Sequence, residues 1–157
     1  MKKNTARTIL SAGLLSVAIL LVACATHQTY QAVEKQPHAD GAYRGTFVDE
    51  GIIQVNVQFA LKDGIVTSAS FRHLVGAIPE YNMETEEEPY RSVVAQYEEA
   101  LQYLVGKPLA ENLADLYHPG QIVTLEVDGY SGATIRSVKI LSAIRDALNR
   151  GPYEPAS

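Results

Sequence analysis

Residues 52–64 read IIQVNVQFALKDG, and residues 65–74 continue IVTSASFRHL. Ile53, Val55, Val57 and Phe59 recur at every second position, with Gln54, Asn56 and Gln58 between them. That period of two predicts a strand with one apolar and one wet face. Asp63-Gly64 between the two runs is a hairpin signal, because both residues tolerate positive φ. Upstream, Tyr43, Gly45 and Phe47 in DGAYRGTFVDEG alternate in the same way, and Asp49-Glu50-Gly51 marks a turn. Three consecutive strands joined by tight turns predict an antiparallel β-meander.

After the third strand the pattern breaks. Residues 75–89, VGAIPEYNMETEEEP, hold prolines, a glycine and an acidic run, and read as a loop with a solvated charge face. His73 at its edge reads as a surface residue. Pro89 then opens a helix with Val94, Tyr97, Leu101 and Leu104 on one side and Gly106 as its stop. In this reading Tyr97 and Tyr103 pack. Pro108 opens a shorter helix with Leu109, Leu113 and Leu116 inward, ended by His118-Pro119-Gly120. QIVTLEV, residues 121–127, reads as a short strand. Ile135, Val138, Leu141, Ile144 and Leu148 predict an amphipathic helix that ends at Gly151-Pro152. The expected fold class is α+β, with the meander packed against helices on one face.

The chain has 157 residues and a formal charge of −5, which suits one domain. Its first residues belong to another purpose. Lys2, Lys3 and Arg7 precede an apolar run, Ile9 to Val22, too short to span a bilayer comfortably. The run ends in Leu21-Val22-Ala23-Cys24, and Cys24 is the only cysteine, so no internal disulfide is possible. The tetrapeptide resembles a bacterial lipobox. The resemblance implies a lipoprotein signal peptide over 1–23, cleavage before Cys24, and acylation of that cysteine with palmitate-type chains. The anchor would hold the protein on the extracytoplasmic face of a cell membrane or outer membrane. Losing three cations with residues 1–23 takes the charge from −5 to −8, which disfavours nucleic acid as a partner. Residues 24–40 read as the lipidated cysteine and a flexible tether, carrying His27 and His38; residues 41–151 as the folded domain; residues 152–157 as a tail.

Between QIVTLEV and the last helix stands Val127-Asp128-Gly129-Tyr130-Ser131-Gly132-Ala133-Thr134-Ile135-Arg136-Ser137. One reading is a helix cap: Ser131 or Asp128 would cap a helix starting near Gly132. The other uses the same geometry, since a helix N-terminus with small residues admits an anionic phosphate.

Asp128-x-x-Ser131-Gly132-Ala133-Thr134, with Ser137 soon after, resembles the motif of the FMN-binding domain family. That family includes the C-subunit of sodium-pumping quinone reductases, the G-subunit of ion-translocating ferredoxin oxidoreductases, and small extracytoplasmic lipoproteins. Five defined positions recur by chance in a chain of this length on the order of once in several thousand. DGAYRGTF, LKDGIVTSASF and the middle and terminal helices are also similar, so the resemblance covers roughly residues 40–150. It implies that a flavin transferase joins FMN to Thr134 by a phosphoester, at the N-terminus of the C-terminal helix. Gly132 and Ala133 would supply a narrow backbone, and Ser131 a phosphate hydrogen bond or a cap. Asp128 would serve transferase recognition, and Ser137 would be a further phosphate contact. Many relatives carry a small hydroxyl residue where this chain has Arg136. For the flavin ring, Tyr130 is the first candidate contact, followed by Tyr81 and Met83.

No Ser-His-Asp arrangement, metal-ligand cluster or nucleotide glycine loop stands out in the sequence, so the expectation is no catalytic residue and no metal ligand of the protein's own. The reading is an electron-transfer flavoprotein with redox partner proteins, rather than an enzyme with its own substrate. Such an enzyme would need an open site beside the flavin. The alternative of another class is a non-redox surface lipoprotein, antigen-like, that binds a partner or ligand on the same fold.

Overall fold

A computed structural model describes residues 37–77, 80–125 and 135–155. All belong to one compact unit, residues 34–157. The class is α+β: an antiparallel sheet with helices packed on it. Strand β1 (Gly41–Asp49) pairs with β2 (Ile52–Lys62), and β2 pairs with β3 (Ile65–Ala77), each antiparallel. Both connections are two-residue turns with positive φ throughout: Glu50 49° and Gly51 78°, Asp63 52° and Gly64 75°. These turns match the right-handed strand twist, which explains why DEG and KDG sit where they do.

Tyr43, Val55, Val57, Phe59 and Leu61 are buried on one face. Tyr43 stacks on its cross-strand partner Phe59, with ring centroids 5.1 Å apart. On the wet face, Gln58 Oε1 accepts hydrogen bonds from Arg44 Nε (3.1 Å) and an Arg72 guanidinium N–H (3.2 Å).

Strict alternation fails at one end of β2. Val55 faces Phe47 but Ile53 faces Val48, so Gln54 is an extra residue at a bulge. A bulge reverses the facing of the residues beyond it. Ile53, expected on the core face, is therefore 46% exposed, while Gln54 is 6% exposed and donates to Asp49 Oδ2 at 3.3 Å.

The expected loop over 75–89 is partly strand. β3 runs on to Ala77, and β4 (Glu80–Asn82) pairs back onto it. Helix α1 (Tyr90–Gln102) comes next in the chain, with Pro89 as its N-cap and with Val94, Tyr97 and Leu101 buried. Leu104, also buried, lies in the turn that Gly106 ends at φ 81°. There the chain knits onto the start of β3: Gly106 N–H donates to the Val66 carbonyl (2.7 Å) and Val66 N–H to that of Lys107 (3.1 Å). Helix α2 is a single turn (Leu109–Asn112), continued by 3-10 turns at Leu113–Tyr117 and Pro119–Gln121. His118-Pro119-Gly120 thus begins a second 3-10 turn rather than ending the segment.

The strand expected at 121–127 is absent over its described part, 121–125. The backbone groups that would pair in a sheet find side chains of α1 instead. Glu99 Oε1 accepts from Thr124 N–H (2.9 Å), Oε2 accepts from Leu125 N–H (3.0 Å), and Gln96 Nε2 donates to the Leu125 carbonyl (2.7 Å).

Helix α3 (Val138–Arg150) crosses β1 and β2 and buries Ile140, Leu141, Ile144, Ala147 and Leu148. Val138, expected inward, is 44% exposed. With 3.6 residues per turn it falls well off the stripe centred on Ile144. Asp146 on α3 accepts the Thr46 N–H at 2.8 Å, occupying a donor on the outer side of β1 that no strand covers there. Beyond Gly151, β5 (Glu154–Pro155), within the expected tail, pairs with Gly41 and Ala42. Among the described residues no helix is long and apolar enough to cross a membrane; Ile9–Val22 and Cys24 lie outside them.

Candidate functional site

Asp128, Tyr130, Ser131, Gly132, Ala133 and Thr134 lie outside the described residues. Their downstream continuation does not. Ile135 is 6% exposed, and residues 135–137 are not helical. Helix α3 starts at Val138 with Ser137 as its N-cap. The expectation of a helix starting near Gly132, with Thr134 in its first turn, is therefore corrected. Two rigid anchors hold the intervening segment. Arg136 N–H donates to the Tyr97 hydroxyl oxygen at 3.0 Å. Ser137 Oγ donates to the Leu116 carbonyl, and Ser137 is 1% exposed. A hydroxyl held in that way is occupied in tying α3 to the 3-10 turn.

A cleft of about 490 Å³ opens where α3 begins. Its walls are Phe47 and Asp49 from the end of β1, Tyr117 and Pro119 from the 3-10 turns, and Ile135 to Lys139. Two cations line it. Arg136 is exposed, whereas Lys139 is 8% exposed. Burial pushes the Lys139 ammonium below its ordinary value; the Arg136 charge adds to this and the Asp49 carboxylate opposes it. Among the described residues Lys139 Nζ has no hydrogen-bond or ion-pair partner. Two N–H groups of the first helical turn are already used, since Lys139 N–H donates to the Arg136 carbonyl and Ile140 N–H to that of Ser137, both at 2.9 Å.

Two further residues were expected to touch the ring, Tyr81 and Met83. Met83, after β4, is 41% exposed; Tyr81 lies in β4. His73 Nε2 bonds the Ile53 carbonyl at 3.0 Å. Phe47, Asp49 and Lys139 were not singled out by sequence reasoning. Lys139 falls on the polar side of the α3 pattern, where a solvated lysine is the ordinary reading, and no local signal marks it as buried. Arg136 alone carried a hint, as the departure from the pattern that the motif resembles.

The Glu99 clip holds the chain shortly before the motif. Burial alone would raise the Glu99 carboxyl, but the hydrogen bonds from Thr124 and Leu125 hold it below the ordinary glutamate value of 4.5. A carboxylate depressed in the folded state contributes stability above the unfolded value and loses it as pH falls through the folded one. Glu99→Gln removes one acceptor oxygen and is expected to cost about 1–3 kcal/mol at pH 7. The cost should shrink below pH 4 in urea titrations of both proteins; an unchanged difference would contradict the clip.

Comparison of the chain with protein-family models, with curated proteins and with solved structures finds no match.

Proposed function

We propose that this chain is a lipid-anchored extracytoplasmic flavoprotein that carries FMN on Thr134 and transfers electrons. One observation carries the reading: Asp128-x-x-Ser131-Gly132-Ala133-Thr134 stands directly ahead of the pinned segment that opens α3. When bound, FMN would supply one- and two-electron transfer. What the chain contributes is attachment and orientation. The Thr134 hydroxyl would be the ester oxygen, Gly132 and Ala133 would let the phosphate approach the backbone, and Ser131 would donate to a phosphate oxygen. Asp128 would present the loop to a flavin transferase. Tyr130 would flank the ring. The residues downstream fit an anionic linker, because Arg136 places an exposed cation two positions after the acceptor. Ser137 would contribute through the backbone it fixes, its hydroxyl proton being committed to Leu116. An acyl chain on Cys24, adding about 0.8 kcal/mol of membrane affinity per buried CH₂, would keep the flavin beside membrane redox partners.

The test is intact mass of the denatured full chain, co-produced with a flavin transferase in an extracytoplasmic compartment. The wild type should gain the mass of one FMN less water, and Thr134→Ala should gain none. A wild type without added flavin, where the transferase modifies another substrate, would leave the non-redox surface lipoprotein as the reading.

A further inference from the structure

We propose that the open face of the sheet docks an acidic partner protein, with Arg44 and Arg72 as the pair that receives its carboxylates. This goes beyond the flavin reading and does not depend on it, because the face is the one turned away from α3. Tyr43, Val57 and Phe59 are buried on the helix side, and Gly45 meets α3 there. Arg44 and Gln58, the residues between them, point to the opposite side. A wet sheet face is ordinary. What sets this one apart is how its arginines are held. Register places Arg44, Gln58 and Ser70 side by side across β1, β2 and β3. Arg72 joins them through a bulge: His73 faces Asn56 and Phe71 faces Val57, so Arg72 is the extra residue, and both it and His73 are exposed. The two guanidiniums donate to one neutral oxygen, Gln58 Oε1, at 3.1 and 3.2 Å, which keeps the donor nitrogens within about 6 Å of each other. Among the described residues neither arginine has an ion-pair partner.

Arg44 is fixed from a second side. Its Cζ lies 4.1 Å from the centre of the Tyr153 ring, and the tail places that ring, since Tyr153 N–H donates to the Ala42 carbonyl at 2.9 Å. A stacked guanidinium loses little freedom on meeting a carboxylate. Each arginine spends one of its five N–H donors on Gln58. A carboxylate would give both a charged acceptor, which makes stronger hydrogen bonds than a carboxamide and cancels the repulsion between the pair. Acids stand only at the border of this patch: Glu154 lies beside Ala42 on β5, and Asp146, already paired with Arg150, reaches Thr46. They direct a partner's carboxylates to the middle of the sheet. An open sheet is a surface for a macromolecule rather than an enclosure for a small ligand. The chain's charge of −5 disfavours a long polyanion such as nucleic acid, whereas a protein brings its carboxylates to one place.

The probe is a fluorescently labelled hexaglutamate peptide, titrated by anisotropy into the full chain in a non-ionic detergent. Saturable binding is expected although chain and peptide are both acidic, and it should weaken as salt is raised. The neutral hexaglutamine analogue should bind at least about tenfold more weakly. Arg44→Gln and Arg72→Gln should each lose several-fold in affinity, and the double variant about tenfold or more. Arg72→Lys keeps the charge without the fork and should fall between. Both positions are exposed, and equal thermal midpoints identify the losses as losses of binding. Absence of hexaglutamate binding, equal binding of hexaglutamine, or a double variant as tight as the wild type would overturn the proposal. So would displacement of the peptide by phosphatidylglycerol mixed into the micelles, which would assign the face to a lipid surface. A dimer in sedimentation that the double variant dissolves would assign it to a second copy of this chain and overturn the proposal as well. Flavin attachment is read separately by mass, so failure of either idea leaves the other standing.

Discussion

Gly45→Ala is expected to cost more than about 3 kcal/mol, a large share of the stability of a domain this size. Gly45 lies on the core face of β1, opposite Val57, where α3 crosses the sheet. A Cβ there would stand 1.9 Å from the Ala143 carbonyl oxygen, 2.6 Å from Ala147 N and 2.8 Å from Ala147 Cβ. Two of these atoms are helix backbone, which cannot turn aside as a side chain can. The helix must lift from the strand, separating Ile140, Ile144 and Ala147 from the sheet. The thermal midpoint should fall by more than roughly 10 °C. Gly64→Ala is the informative comparison. Its φ is 75° and nothing lies within 4 Å of an added Cβ, so it meets only the conformational cost of about 1–2 kcal/mol. Similar losses at the two glycines would refute the close approach of α3.

Tyr97 should show the second large effect. It is 2% exposed on α1, and its hydroxyl oxygen receives the Arg136 N–H at the approach to α3. Tyr97→Ala removes a buried ring and is expected to cost about 3–5 kcal/mol. Tyr97→Phe keeps the ring and leaves the Arg136 N–H without its acceptor, for about 1–3 kcal/mol. The two variants together separate packing from positioning in denaturant titrations. Tyr97→Phe also reports on the proposed function, because it loosens the segment just after Thr134 while sparing the core. Flavin incorporation should slow in Tyr97→Phe although the folded fraction stays near that of wild type. Equal incorporation rates would mean that the pinned segment does not present the acceptor.

The first three strands, both two-residue turns and the inward sides of α1 and α3 were legible in the sequence, because each is set by neighbours at spacings of two to four residues. Asp63-Gly64 needs no partner to prefer a tight turn. Val55, Val57 and Phe59 need only alternate. The features that failed to show are those in which distant residues compete for the same backbone groups. Residues 121–125 have the apolar composition of a strand, yet Glu99 and Gln96, more than twenty positions upstream, take their hydrogen bonds. The bulge at Gln54 depends on how β1 and β2 register around Asp49, which no single strand encodes.

The same division holds at the site. The motif ending in Thr134 and the cationic departure at Arg136 stand in the sequence itself, since they are identities at fixed spacing. That Ser137 spends its hydroxyl on Leu116, that Lys139 is buried, and that Phe47 and Asp49 come to face it required the tertiary structure. A charge on the polar side of a helix looks solvated until another element arrives to cover it, and only the path of the whole chain determines whether one does.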